Sequence, residues 1–190
     1  MTPGIGSAVG RDTHHALELL ERALGYTRSA LSTVGADRSG PSPCAGWTLA
    51  DLLTHMDDGL DAFLEAAGGA VLLEVPRAAG AEPNVLRAKA CRLYGRWSAH
   101  IAPRVVVGDR ELPAGLLVCA AALEITVHGW DVAQATGAGG RIPENLAEAL
   151  MPVAHAVVTP GDRPERFAVP LRTGPEASSA EVLLGFLGRR

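Results

Sequence analysis

Apolar residues recur along the first third of the chain at helical spacing. Leu17, Leu20, Leu24, Thr27, Leu31 and Val34 step by three or four residues, which predicts a helix from Thr13 to a stop at Gly35. A second stripe, Leu49, Leu52, Leu53, Met56, Leu60 and Phe63, runs to Gly68-Gly69. Its start is marked by Thr48 with Asp51 three residues on, the spacing of a capping box. Leu86, Leu93 and Trp97 define a third helix that opens at Pro83, a good first-turn residue, and ends before Pro103 at about Ala102. A fourth helix is expected from Pro113 through about Thr136, ended by Gly137.

Between these stripes the pattern is less regular. Asp37–Gly46 reads as a loop, Val71–Glu82 is ambiguous, and Val105-Val106-Val107 followed by Gly-Asp fits a short hairpin arm. After Gly140 the expected elements are a fifth helix over Pro143–Val158 weakened by Pro152, a strand at Phe167–Leu171 and a terminal helix over Ser178–Leu187. Four long striped helices predict a mainly α protein, an antiparallel four-helix bundle with a short C-terminal α/β extension. The divisions expected are a flexible N-terminus over 1–12, the bundle over 13–139, and the extension over 140–190 packed on it.

Composition narrows the functional classes. The 190 residues, 47% hydrophobic, suffice for one domain with a sizeable core. A formal net charge of −4 with no basic block argues against nucleic-acid partners. Apolar runs such as Val153–Val158 fall short of the ~20 residues of a membrane span, and no secretory signal is visible. Cys44, Cys91 and Cys119 are scattered and odd in number, so neither a disulfide framework nor a CxxC knuckle is expected. A cytoplasmic location follows as the expectation. Lys89 is the one lysine among 17 basic residues, a bias we attribute to coding composition rather than chemistry.

The polar residues inside the apolar stripes carry the chemical signal. Glu124 and His128 stand four apart on the most apolar helix, which puts both on one face. His55 lies at the edge of the second stripe, with Gly59 leaving open space one turn later. If the second and fourth helices face each other, the three form a His2Glu set of the kind that holds zinc with a coordination position left open. Spacing alone leaves two other readings, a hydrogen-bonded core histidine for His55 and a helical ion pair for Glu124/His128. Trp47 and Trp130 read as packing anchors beside those helices, Asp51 as a first-turn cap, and Asp131 as an outer contact to the cluster or a helix-end contact. Cys44 reads as structural and Cys119 as inert core. Arg87, Arg92 and Arg96 on the third helix are placed to meet an anionic substrate, although a solvated helix face explains them better. His14, His15, His100 and His155 show no such pairing.

Two longer segments add a resemblance. Pro43-Cys44-Ala45-Gly46-Trp47-Thr48-Leu49-Ala50-Asp51-Leu52-Leu53-Thr54-His55 resembles the PCxGW(T/S)xxDLxxH signature of the mycothiol-dependent maleylpyruvate isomerase family. The segment from Glu124 through His128-Gly129-Trp130-Asp131 to Gly137 resembles its second signature, ExxxHxWDLAxAxG. The resemblance implies a DinB-like metal-binding bundle with its ligands at His55, Glu124 and His128. It also implies mycothiol as a thiol cosubstrate. The characterised isomerases carry a larger C-terminal domain than the 50 residues that follow Gly140 here, so metal and thiol binding are its most direct implications.

The expected function is therefore a zinc enzyme, with nickel or iron(II) as alternative metals, that adds or transfers a small thiol at the open position. Its partners would be that thiol and a small electrophilic or anionic substrate, in a monomer or homodimer. No Ser-His-Asp or Cys-His set offers a protein nucleophile. Two other classes remain: a metal-dependent hydrolase on the same bundle, with Asp58 a weak candidate base, and a non-enzymatic metal-binding or regulatory module.

Overall fold

A computed structural model describes residues 13–71, 81–100 and 102–190. The elements in chain order are α1 (Thr13–Leu31), α2 (Leu49–Ala66), β1 (Ala70–Val71), α3 (Pro83–Ala99), β2 (Arg104–Val107), β3 (Arg110–Pro113), α4 (Ala114–Ala135), α5 (Glu144–Val157) and α6 (Ser179–Phe186). The protein is mainly α, as the stripes predict. The segment 1–12, expected to be flexible, lies outside the described residues, as does most of the ambiguous 71–82 stretch.

Local chemistry sets the helix ends. The expected stop of α1 at Gly35 falls earlier, at Leu31, because Ser32 and Thr33 turn their hydroxyls back onto the carbonyls of Ser29 and Ala30 at 2.6 and 2.7 Å. At α2 the capping box forms as expected: Thr48 accepts from the Asp51 amide, and the Asp51 carboxylate accepts from the Thr48 amide at 2.9 Å. Ser178 and Glu181 build a second one at α6. Gly137, at φ +71°, supplies the left-handed residue after α4. Helix α3 ends at Ala99, three residues before the expected end, with His100 already extended.

Helices α1 to α4 pack as a closed ring, in which α1 meets α3 and α4, and α2 meets α3 and α4. Side-chain bonds fix their directions. Cys44 meets Asp131 while His55 meets Glu124, so α2 and α4 are antiparallel. Tyr94 reaches Glu21 while Glu82 pairs with Arg38, so α1 and α3 are antiparallel too. Thr27 donates to the Ile125 carbonyl and Thr33 bonds Thr136, which makes α1 and α4 parallel. The Arg38 region touches the starts of both α2 and α3, which are therefore parallel as well. The bundle is up-down-down-up, so the expected antiparallel packing holds for α2/α4 and α1/α3, while α1/α4 and α2/α3 run parallel.

Helix α4 is the central element, with Val118, Cys119, Ala121, Ala122 and Val132 fully buried. Among the described residues it is the one helix long and apolar enough to cross a membrane, although 78% of its apolar window is buried inside the molecule. No single uninterrupted run signals this, because its alanines and valines are broken by Glu124, His128 and Asp131. A small sheet caps one end, with β1 parallel to β2 and β2 antiparallel to β3 across the two-residue turn Gly108-Asp109. Helix α5 packs on α4 and α1, and α6 on α5. The strand expected at Phe167–Leu171 does not form. Pro170 has no N–H to donate, Val169 is two-thirds exposed, and the Leu171 amide bonds the Gly185 carbonyl at the end of α6 instead of a neighbouring strand.

Candidate metal centre

Helices α2 and α4 bring His55, Glu124 and His128 together. The antiparallel pairing sets the first turns of α2 against the middle of α4, and the i,i+4 spacing stacks Glu124 and His128 on the face that looks at α2. His55 Nε2 lies 2.8 Å from Glu124 Oε1, and His128 Nε2 lies 3.1 Å from the same oxygen. The two imidazoles meet edge to face with centroids 4.9 Å apart. Donor atoms of all three lie within 4.8 Å of one another. Ligands ~2.0–2.2 Å from a shared zinc sit about 3.4 Å apart in a tetrahedron, so this set fits a divalent ion after a small opening.

A second layer stands behind His128. Its Nδ1 lies 2.8 Å from Asp131 Oδ2, and Asp131 is completely buried. Arg189 donates Nε to both carboxylate oxygens at 3.0 and 3.1 Å and Nη2 to Oδ2 at 2.9 Å. The Cys44 thiol donates to the same Oδ2 at 3.4 Å. Accepting from Nδ1–H, Asp131 commits the Nε2 lone pair of His128 to the Glu124 side, the arrangement that orients a metal-ligating histidine.

Electrostatics follow from this layering. Burial alone would raise the Glu124 carboxyl, but the His128 charge and the bonds from both histidines outweigh it and hold it well below the carboxylate range. Burial likewise opposes the charged form of His128, yet Glu124 and Asp131 override it and push the imidazolium up. The cluster is thus held together by charge-assisted contacts between Glu124 and the two imidazoles.

Of the remaining sequence candidates, Trp47 is partly exposed and lays its ring 4.9 Å from that of His55. Trp130 is buried in the core. Asp51 spends its carboxylate on Thr48 in the α2 cap, not on the cluster. Asp131 makes the outer contact. Sequence reasoning missed Arg189 and the partnership of Cys44. Cys44 stands in the first signature, beside Trp47, and that position was the available signal; Arg189 carries no local signal at all.

The cluster is open on one side. Glu124 and His128 reach a cavity of about 480 Å³ lined by all four bundle helices, within the range of small-molecule sites. Roughly a third of the Glu124 side chain remains accessible.

The chain is thus a four-helix bundle with a His2Glu cluster bordering a cavity between its helices. The family model for the mycothiol maleylpyruvate isomerase N-terminal domain matches residues 17–133, which include the whole bundle core, and the chain belongs to that family. It is also similar to two uncharacterized Mycobacterium tuberculosis proteins, Rv0738 of strain H37Rv and MT0763 of strain CDC 1551. Each is 28% identical over 180 residues, covering 89% of this chain and 94% of the relative. No solved structure gives a significant match.

Proposed function

We propose that this protein is a metal-dependent enzyme that uses a small thiol, mycothiol, for addition to or transfer onto an electrophilic substrate, with His55, Glu124 and His128 holding one zinc ion. The observation that carries the reading is the convergence of two imidazole nitrogens and one carboxylate oxygen on a face open to a cavity. Bound there, zinc would supply the acidity that ionises a coordinating thiol at neutral pH. The chain's residues do the rest. Asp131, anchored by Arg189, fixes the ring of His128 and its tautomer; Trp47 packs against His55 and limits its rotation; Glu124 brings the negative charge that makes the set select a cation. The apolar walls, among them Met56, Leu60 and Phe63, would hold the apolar part of a substrate beside the reacting centre. Family membership supports the thiol assignment.

Metal analysis of the purified full-length chain, followed by mycothiol-transfer assays with electron-poor alkenes, tests the reading. One zinc per chain and mycothiol-dependent turnover are expected, both lost in His55→Ala while far-UV helicity is retained. Zinc binding with hydrolysis in place of thiol transfer would move the protein to the hydrolase class. Zinc binding with neither activity would make it a binding module.

A further inference from the structure

The cavity beside the cluster has a composition of its own. Its walls include Leu24, Leu31, Leu60, Phe63 and Leu86, and most of the wall surface is apolar although Glu21, Arg87, Glu124 and His128 also border it. One polar group is out of balance. Arg87 of α3 lines the cavity, and its Nε is buried without a hydrogen-bond partner, while among the described residues Nη1 reaches Asn84 Oδ1 at 3.2 Å. Nearby carboxylates are otherwise engaged: Glu21 with Tyr94, and Asp57 and Asp61 with Lys89 at 2.6 and 2.7 Å. No ion pair to Arg87 exists among the described residues. A buried guanidinium N–H without an acceptor is unfavourable unless a ligand brings one.

Two glycines inside helices point the same way. Gly25 in α1 and Gly59 in α2 both line the cavity, and a Cβ at either would meet nothing within 4 Å. Packing therefore does not require glycine at either position. Both weaken their helices relative to alanine, and Gly59, one turn after His55, leaves open volume on the cluster's side of the cavity.

We propose that the cavity binds a monocarboxylate carried on an apolar body. The carboxylate pairs with Arg87, and the apolar body lies along the leucine and phenylalanine walls toward Glu124 and His128. The inference rests on the proposed function in one respect: this molecule is the second substrate, the electrophile. A short dicarboxylate fits poorly, since its second charge would fall among Leu60 and Phe63 or beside Glu124. Arg28, exposed in the last turn of α1, adds positive potential where the cavity opens.

Calorimetric titration of octanoate into the full-length protein tests this, with 1-octanol and succinate as comparison ligands, on chelator-stripped and zinc-loaded samples. Octanoate is expected to bind once per chain in both samples, at least tenfold more tightly than either comparison ligand. Arg87→Met should weaken octanoate at least tenfold and Arg87→Lys should recover part of the loss. Gly59→Leu, which fills the cavity and favours the helix, should block binding with Arg87 intact. Circular dichroism of each variant should match the wild type. Octanoate that binds only when zinc is present, binds Arg87→Met as tightly as wild type, or binds no better than 1-octanol would overturn the inference. Octanoate binding by a protein that takes up no zinc when zinc is supplied sinks the metal reading alone; zinc held by the cluster with no octanoate binding sinks this inference alone.

Discussion

Replacing Arg189 by methionine removes the guanidinium that holds Asp131 and leaves a side chain of similar reach. Asp131 has no accessible surface, and Arg189 keeps only 13% of its own. The variant therefore strands a buried carboxylate with His128 at 2.8 Å and the Cys44 thiol at 3.4 Å as its remaining partners. Breaking a buried ion pair from one side costs about 3–5 kcal/mol. His128 still supplies a charge-assisted bond, so the lower end, about 3 kcal/mol, applies. In a domain of this size each kcal/mol moves Tm by about 2–4 °C, so the metal-free variant should melt about 6–12 °C below wild type. Loss of an outer contact to a ligating histidine weakens metal binding about 10–100-fold. Asp131 itself remains, so about tenfold is expected in competition with a chromophoric chelator. The double variant Asp131→Leu/Arg189→Met separates the two effects: it should recover stability, because no charge is stranded, but not metal affinity, because nothing then orients Nδ1. An Arg189→Met protein that melts with wild type and holds metal equally well would refute the coupling of the chain's last turn to the cluster.

Other perturbations test separate parts of the structure. Gly129→Ala places a Cβ 2.3 Å from Thr27 Oγ1 at the α1–α4 contact, where Thr27 donates to the Ile125 carbonyl at 2.7 Å; about 1–3 kcal/mol of overpacking loss is expected in urea unfolding. Asp51 sits below the ordinary carboxylate range because Thr48 donates to it from hydroxyl and amide. Its folded pKa is depressed, so the stability it adds is complete above the unfolded carboxylate pKa and lost as pH falls through the folded one. Asp51→Asn should melt earlier than wild type at neutral pH, and the two curves should converge in acid. Chelation should lower Tm yet leave the far-UV helical signal, since the core, from Leu19 and Leu52 to Leu150, is apolar and independent of the cluster.

Much of the fold was legible because helices broadcast their buried face through spacing. The stripes beginning at Leu17 and Leu49, the Thr48–Asp51 box and the Gly137 stop all describe interactions within a few residues, and those formed where expected. Chain direction was not legible. A stripe states that a face is buried but not which neighbour covers it or which way that neighbour runs, so the parallel α1/α4 and α2/α3 pairs have no local signature. The strand expected at Phe167–Leu171 failed for a related reason. A strand exists only against a partner, and Leu171 found its acceptor at Gly185 instead.

The site divides along the same line. Glu124 and His128 could be paired from their i,i+4 spacing, and His55 joins them because α2 does face α4. Arg189 lies 58 residues from Asp131 in sequence, and Cys44 lies 87 from it. Both meet Asp131 only because α5 and α6 fold the chain's end back over the bundle and the loop before α2 meets α4. Arg87 is hard to single out on similar grounds. Among Arg92 and Arg96 it looks like one more solvated arginine, yet those two are exposed and Arg87 is half-buried with an unpartnered Nε. A periodicity argument sorts residues by face and assigns charge to the solvent side, which fails where the bundle encloses a cavity. In this bundle an arginine can turn away from solvent and still face an empty volume. An inward-facing charge without a protein partner is therefore where a ligand should be sought, and Arg87 and the open side of the His55–Glu124–His128 cluster bound the same cavity.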